Sequence, residues 1–206
     1  MYSDAMGKCI LRMAIAALML PLVAAAADDE AQTLLRRTAD YISSLGRYTA
    51  RFGITAGEYS SQGSYTVDGD AYYIEVDGAE VYCDGKTRYE VDNGRREVNV
   101  DSVEGASRNI LDNPTRCFDF VGTDYDAGVS SRTASETTLH LRSRDASVEG
   151  DIYLTVETAT GRPRHITYVL YHDRIEVAVE SLDPSRGAVR RYDAKRYPDY
   201  ETIDFR

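Results

Sequence analysis

The chemistry open to this chain is limited by how few of its side chains can act as nucleophiles, bases or soft metal ligands. The sequence holds three cysteines and three histidines, His140, His165 and His172. The patterns CxxC, HExxH and GxSxG do not occur, and no glycine-rich loop joins a strand to a helix. We therefore interpret the histidines as strand or turn residues, and predict no catalytic residue, no metal site, no cofactor and no enzymatic activity.

Two acidic clusters offer oxygen atoms to a hard cation. Asp68-Gly69-Asp70 and Asp124-Tyr125-Asp126 could each contribute carboxylates to calcium, but neither continues into an EF-hand pattern. Solvated turn carboxylates are the better interpretation. A pair of acids placed for glycoside cleavage stays open, because their separation is spatial and an acidic chain contains many chance pairs.

Tyrosine is the most informative residue type in the sequence, with 16 copies and no tryptophan. Most of these tyrosines fall in segments with strand character. A tyrosine ring covers apolar area while its hydroxyl reaches water or a polar partner, which suits the wall of an apolar cavity. It equally suits an ordinary strand, so the tyrosines alone do not decide between the two.

The elements that position these side chains are one helix and many strands. Apolar residues recur three and four apart between Asp29 and Leu45, which predicts an amphipathic helix that ends at Gly46. After it the period is two, typical of half-buried strands. The predicted strands are Tyr48–Thr55, Gly63–Val67, Ala71–Val76, Glu80–Cys83, Thr87–Val91, Arg96–Val100, Tyr125–Ser131, Thr137–Arg142, Asp151–Glu157, Arg164–Tyr171 and Arg174–Leu182.

Turn signals and one break in the alternation organise these strands. Asp68-Gly69, Asp77-Gly78, Asp84-Gly85 and Asn93-Gly94 tolerate the positive φ angles of tight hairpins and predict an antiparallel meander. Between Glu104 and Gly122 the alternation stops, which indicates short helices or a structured loop. The C-terminal stretch from Tyr192 alternates weakly and is predicted to close the sheet edge. The fold class is mainly β with a few helices.

The N-terminus has the three parts of a removable signal peptide. Lys8 and Arg12 precede an apolar run from Met13 to Val23, and Ala25-Ala26-Ala27 precedes an acidic stretch. The run is about 11 residues, whereas a membrane-spanning helix needs about 20. We therefore predict that residues 1–27 are cleaved and that residues 28–206 form one soluble periplasmic domain.

The net charge limits the possible partners, and the predicted compartment bears on the cysteines. The net charge of −10 argues against nucleic acid and against anionic membrane surfaces as direct partners. An oxidising compartment would allow Cys83 and Cys117 to form a disulfide, and the sequence leaves that pairing open.

A specific resemblance lies in Gly63-Ser-Tyr-Thr-Val, Ala71-Tyr-Tyr-Ile-Glu and the run from Glu80 through Asp84-Gly-Lys-Thr to Asn93, followed by Arg96-Glu-Val-Asn-Val. This series resembles the LolA-type outer-membrane lipoprotein carriers. The N-terminal helix, the Asn113-Pro114 segment and the ending from Tyr197 to Arg206 agree with it. The resemblance implies a strongly curved antiparallel sheet or incomplete barrel, with helices forming a lid over an apolar cavity.

The same resemblance implies a function. The protein would bind lipoprotein acyl chains in the cavity, receive them from an inner-membrane transporter and pass them to an outer-membrane receptor, as a monomer. The arginine that bonds to the lid in better-known members has no counterpart here, because its place falls at Asp68-Gly69-Asp70. The predicted lipid-binding residues are Phe52, Tyr65, Tyr73 and Tyr89 from the sheet, with Ile110, Leu111 and Phe118 from the mid-chain segment.

Two other functions are weighed against the carrier. A periplasmic sensor or binding module on the same fold would recognise lipid or protein without transporting it, and a transporter contact surface would separate the two. A lipid-active enzyme would need a nucleophile and a base within reach of each other.

Overall fold

The computed structural model describes residues 29–103, 125–145, 150–170 and 173–206. One helix, α1, spans residues 29–45, and a short 3₁₀ helix spans Ala194–Arg196. The strands are β1 Tyr48–Ala56, β2 Tyr59–Asp68, β3 Ala71–Val76, β4 Ala79–Cys83, β5 Thr87–Asp92, β6 Glu97–Ser102, β7 Tyr125–Arg132, β8 Glu136–Ser143, β9 Asp151–Glu157, β10 Pro163–Leu170, β11 Asp173–Pro184 and β12 Glu201–Asp204.

The predicted helix is confirmed, and its apolar spacing explains its position. Ala31, Leu34 and Leu35 are buried at three- and four-residue intervals, so one face of α1 packs against the sheet. Gly46 adopts φ +61° and its N–H donates to the carbonyl of Ser43, which ends the helix in the left-handed conformation that glycine accepts without strain.

Side chains on the outer surface of α1 fix where it lies along the sheet. The Arg37 guanidinium donates to the carbonyl of Thr158 at 2.9 Å, in the turn between β9 and β10. The Glu30 carboxylate lies 3.0 Å from the guanidinium of Arg132, at the end of β7. The helix therefore crosses the sheet at the end where the β7–β8 and β9–β10 turns lie, called the helix end below.

All the strands belong to one curved open sheet in the order β12-β6-β5-β4-β3-β2-β1-β11-β10-β9-β8-β7. Every described neighbouring pair is antiparallel except β12, which runs parallel to β6. The predicted strands are confirmed with small differences at their ends, of which the largest is β2, beginning four residues before Gly63. The weak alternation near the C-terminus corresponds to β12 at the sheet edge.

Three of the four predicted hairpin glycines have the expected positive φ: Gly69 (+59°), Gly78 (+75°) and Gly85 (+94°). The turn at Asn93-Gly94 differs from its prediction. The carboxylate of Asp92 accepts from the N–H groups of Gly94 and Arg95, which holds a longer turn. The left-handed residue there is Arg96, with φ +57°.

Buried residues lie on both faces of the sheet, and β3 and β4 are buried on both sides. The first face carries the cluster that packs on α1, and includes Phe52, Tyr65, Tyr72, Ile74, Val81, Leu139, Leu154, Ile166 and Val177. The second face carries a separate cluster, Tyr73, Tyr82, Val91, Val98, Val100, Val189 and Tyr197.

The signal peptide, the Glu104–Gly122 segment with Cys117, and His172 lie outside the described residues, so the predictions for them stay predictions.

Candidate functional site

The first face is a continuous apolar surface built by strand alternation. In β1, Tyr48, Ala50, Phe52 and Ile54 are buried while the residues between them face the other way. Cross-strand register extends this surface, because directly opposed residues share a face. One row of opposed residues runs from β8 to β1 through Leu139, Leu154, Ile166, Val177 and Ile54.

Aromatic rings form the centre of the first face. The ring centroid of Phe52 lies 5.7 Å from that of Tyr65, and Tyr48 meets Tyr65 edge-on at 6.0 Å. Gly63 is directly opposite Phe52, and a Cβ at this position would lie 2.7 Å from the Phe52 ring. The missing side chain of Gly63 therefore provides the space in which Phe52 lies.

The two ends of the first face differ. At the helix end, α1 covers the face, and its backbone approaches Gly161 so closely that a Cβ there would lie 2.9 Å from the Arg37 carbonyl carbon. At the opposite end, called the open end, Tyr168 and Ile175 are a directly opposed, half-buried pair. Leu170, two residues beyond Tyr168, is 43% exposed. An apolar surface with a half-exposed margin can bind a hydrocarbon chain.

The structure does not bring the four predicted strand residues together. Phe52 and Tyr65 belong to the first-face cluster, whereas Tyr73 and Tyr89 belong to the second-face cluster. Register is the reason, because Tyr73 is directly opposite Thr66, the neighbour of Tyr65, and so points to the other side. The structure thus places Tyr73 and Tyr89 on a different face from Phe52 and Tyr65, and lipid binding by any of the four stays a prediction. Ile110, Leu111 and Phe118 lie outside the described residues.

The second face contains a polar cluster centred on Glu80. Its carboxylate accepts hydrogen bonds from the hydroxyls of Tyr73 at 2.8 Å, Tyr82 at 2.9 Å and Tyr197 at 2.7 Å. Tyr197 belongs to the C-terminal segment 185–206, called the strap below. The cluster therefore fastens the strap to β3 and β4.

Two arginines of the strap complete this cluster. Arg190 donates to the hydroxyl of Tyr73 at 2.6 Å and lies over its ring, with Cζ 4.4 Å from the centroid. Arg196 donates to the hydroxyl of Tyr82 at 2.7 Å. Farther along, Tyr192 stacks on Tyr89 with centroids 4.2 Å apart. The strap thus covers the second face with aromatic rings and guanidinium groups.

The electrostatics of the cluster favour an ionised Glu80. Burial alone would raise the pKa of this carboxyl, but the hydrogen bonds from Tyr197, Tyr73 and Tyr82 and the positive charge of Arg196 lower its pKa to about 2. Burial, together with hydrogen bonding to the Glu80 carboxylate, raises the pKa of Tyr73 and of Tyr197. Glu80 is therefore a charged acceptor with donors on both oxygens, which suits fastening better than proton transfer.

His140 and Cys83, whose residue types could serve catalysis or metal binding, make contacts with neighbouring side chains and backbone. His140 lies 2.6 Å from the Asp151 carboxylate through Nε2 and stacks on Tyr153. Burial raises the pKa of the Cys83 thiol, whose sulfur accepts from the N–H of Gly85. Within the described ranges, no group of three His, Cys, Asp or Glu side chains is arranged to hold a metal ion.

Sequence reasoning found the apolar strands but missed the Glu80 cluster. Glu80 alternates with Val81 and Tyr82 like any strand residue, and its partner Tyr197 lies 117 positions away. The available signal was the concentration of arginine and tyrosine between 189 and 200, which we interpreted only as closure of the sheet edge. Among the described helices, none is both long and apolar enough to cross a membrane.

Comparison with known proteins gives one family. The family model described as outer membrane lipoprotein carrier protein LolA matches residues 22–169, so the strap lies beyond the matched region. A search of curated protein sequences found no match.

Comparison with solved structures finds similar chains at low sequence identity. An uncharacterized conserved protein from Thermus thermophilus is 11% identical with a TM-score of 0.55, covering 84% of this chain and 98% of its own. A LolA superfamily protein from Nitrosomonas europaea is 10% identical (TM-score 0.39; 81% and 96% covered). A putative outer membrane lipoprotein-sorting domain from Vibrio parahaemolyticus is 10% identical (TM-score 0.45; 78% and 94% covered). The Thermus similarity supports a common fold.

Proposed function

The chain belongs to the LolA family of outer-membrane lipoprotein carriers, and on this premise we propose that it is a periplasmic carrier whose first face binds lipoprotein acyl chains. The observation that carries the proposal is the continuity of the first face from β8 to β4 together with its half-exposed margin at the open end. A chain entering at Leu170 and Tyr168 would continue over Phe52 and Tyr65. Binding of this kind requires no catalytic residue.

The half-exposed margin agrees with the need to release cargo. Burying three chains of about fifteen CH₂ groups each, at ~0.8 kcal/mol per group, would contribute on the order of 36 kcal/mol. Non-covalent affinities saturate near roughly 18–21 kcal/mol. A face that enclosed its cargo fully could not release it. The chains must therefore stay partly exposed, or opening the cover must cost much of the binding free energy.

Transfer would proceed through protein partners. A net charge of −10 does not favour direct contact with anionic bilayers. An inner-membrane transporter would load the carrier, and an outer-membrane receptor with a better-fitting apolar surface would unload it.

The test compares two exposed apolar residues changed to aspartate. Leu170 lies at the margin of the first face, whereas Phe205, 63% exposed, follows β12 at the far edge of the sheet. Leu170→Asp should reduce binding of a synthetic tripalmitoylated lipopeptide in native mass spectrometry, and Phe205→Asp should not. Both variants should keep the parent melting temperature, because neither residue is buried.

Two outcomes would decide against the proposal. If the parent protein binds no lipopeptide, the first face is an ordinary core. If Leu170→Asp binds as well as the parent, chains do not enter at the open end. Binding without transfer of lipoprotein from inner-membrane to outer-membrane preparations would favour a binding module over a carrier.

A further inference from the structure

The first face changes from apolar to charged at one strand boundary. Two rows of opposed residues show this: Val67, Tyr72 and Cys83 lead to Arg88, and Tyr65, Ile74 and Val81 lead to Glu90. Since directly opposed residues share a face, Arg88 and Glu90 of β5 lie on the first face beside buried apolar neighbours. Acyl chains on the first face would therefore meet a charged pair at its β5 border.

Arg88 is only partly satisfied at this border. Its side chain is 24% exposed, and one Nη lies 3.2 Å from the Glu90 carboxylate. Its Nε is buried and has no hydrogen-bond acceptor among the residues that the structure describes. A buried donor without an acceptor is unfavourable, so such a group calls for a partner.

The position of Arg88 separates it from other arginines with the same buried nitrogen. Arg47 precedes β1, Arg162 lies in the β9–β10 turn, and Arg164 lies at the register shift of β10. Arg88 has a regular place in a row of first-face residues, directly opposite Cys83. It is thus the arginine placed to meet the head of a chain lying on Tyr72 and Cys83.

We propose that Arg88 binds an anionic oxygen group, a carboxylate or a phosphate, at the head of an acyl lipid whose chain lies on the first face. The guanidinium fork presents Nε and an Nη side by side, which matches two oxygens of one such group. Glu90 lies 3.2 Å from an Nη of the same guanidinium, and the second hydrogen of that Nη stays available to the ligand. This goes beyond the proposed function but rests on it, since the acyl chain must occupy the first face; the lipid bound here has its head at the β5 border and not at the open end.

The experiment separates the head group from the chain. The mature protein is titrated with palmitate, with 1-hexadecanol and with 1-palmitoyl lysophosphatidylglycerol, at a mildly alkaline pH where palmitate is ionised. The parent should bind palmitate at least about tenfold more tightly than hexadecanol, the effect of a hydrogen bond to a charged group. Arg88→Leu should remove that preference and leave hexadecanol binding unchanged.

Two further variants serve as controls. Arg51→Leu makes the same change in charge at an exposed arginine of β1 that points to the second face, and should keep the preference for palmitate. Arg88→Lys keeps the charge without the fork and should lose part of the preference, which keeps the idea testable if Arg88→Leu does not fold. The lysophospholipid identifies the source: tight binding extends recognition to phosphate, and weak binding restricts it to fatty acids.

The outcomes distinguish this proposal from the one it rests on. Equal binding of palmitate and hexadecanol by the parent, or an unchanged preference in Arg88→Leu, would overturn the role of Arg88 and leave the carrier function intact. Failure of the parent to bind tripalmitoylated lipopeptide, palmitate and hexadecanol alike would overturn both.

Discussion

Replacement of Glu80 by glutamine should show how strongly the strap stabilises the domain. The glutamine keeps the shape and one acceptor oxygen, but places an uncharged amide where Tyr197 donates at 2.7 Å and where Arg190 and Arg196 lie 3.4 and 3.6 Å from the carboxylate. The strap would then keep its stacked rings and lose its charged anchor. We expect the strap, including β12, to detach more readily.

The loss of stability expected for Glu80→Gln follows from the pKa of Glu80. The value of about 2 lies below the ordinary 4.5, and each pKa unit corresponds to about 1.36 kcal/mol, so the charged carboxylate stabilises the folded state by about 3 kcal/mol. Because the folded-state pKa is the lower one, this stabilisation is complete above pH 4.5 and is lost as the pH falls toward 2. Glu80→Gln should therefore cost about 3 kcal/mol at neutral pH and progressively less in acid.

Urea unfolding of parent and variant at several pH values measures this difference. Other carboxylates also lose stabilising contacts in acid, since the pKa values of Asp84, Asp92 and Asp204 are lowered as well, so the difference between the two proteins is the informative quantity. Glu201→Gln, at an exposed position of β12, is the matched control and should change the free energy of unfolding by less than about 0.5 kcal/mol. A difference between parent and Glu80→Gln that is near zero at neutral pH, or that does not shrink in acid, would refute this account of the cluster.

Three further predictions concern the backbone and the N-terminus. Gly63→Val should lower stability by about 1–3 kcal/mol, because its side chain would overlap the Phe52 ring, while Gly187→Val, with no atom near its Cβ position, should be tolerated; thermal melts compare the two. Gly85→Val should cost about 1–3 kcal/mol because φ is +94°, and an unchanged melting temperature would argue against the positive-φ turn. N-terminal sequencing of the periplasmic protein should begin within a few residues of Asp28, whereas an intact Met1 would contradict export.

The strand order near the N-terminal half of the sheet was predictable because its signals are local. Alternation in β1 to β6 depends only on successive residues, and the turns at Gly69, Gly78 and Gly85 require glycine for a backbone reason. Asn93-Gly94 failed as a prediction because the Asp92 carboxylate offers the loop a competing set of hydrogen bonds. Side-chain capping of this kind shifts the left-handed residue without changing the hairpin.

Assigning tyrosines to a face was not possible from the sequence. Tyr72 and Tyr73 are adjacent and both buried, and alternation says only that they point to opposite sides. The side of the sheet that can hold a ligand depends on which face the rest of the chain covers. The second face is covered by strap residues that lie more than 100 positions from the strand residues they contact. Contacts of that separation leave no periodic trace, so Tyr73 and Tyr89 could not be separated from Tyr65 beforehand.

The two-sided burial of β3 and β4 has a consequence for how a carrier can release cargo and stay folded. A cavity that is empty for part of each cycle cannot be the main source of stability, because its apolar contacts come and go with the ligand. Here Tyr73 of β3 and Tyr82 of β4 contribute to the second-face cluster, whereas Ile74 of β3 and Val81 of β4 contribute to the first face. Fastening the second face through Glu80 would keep these strands in register when the first face is vacated. Affinity for acyl chains and stability of the sheet could then be adjusted on opposite sides of the same strands.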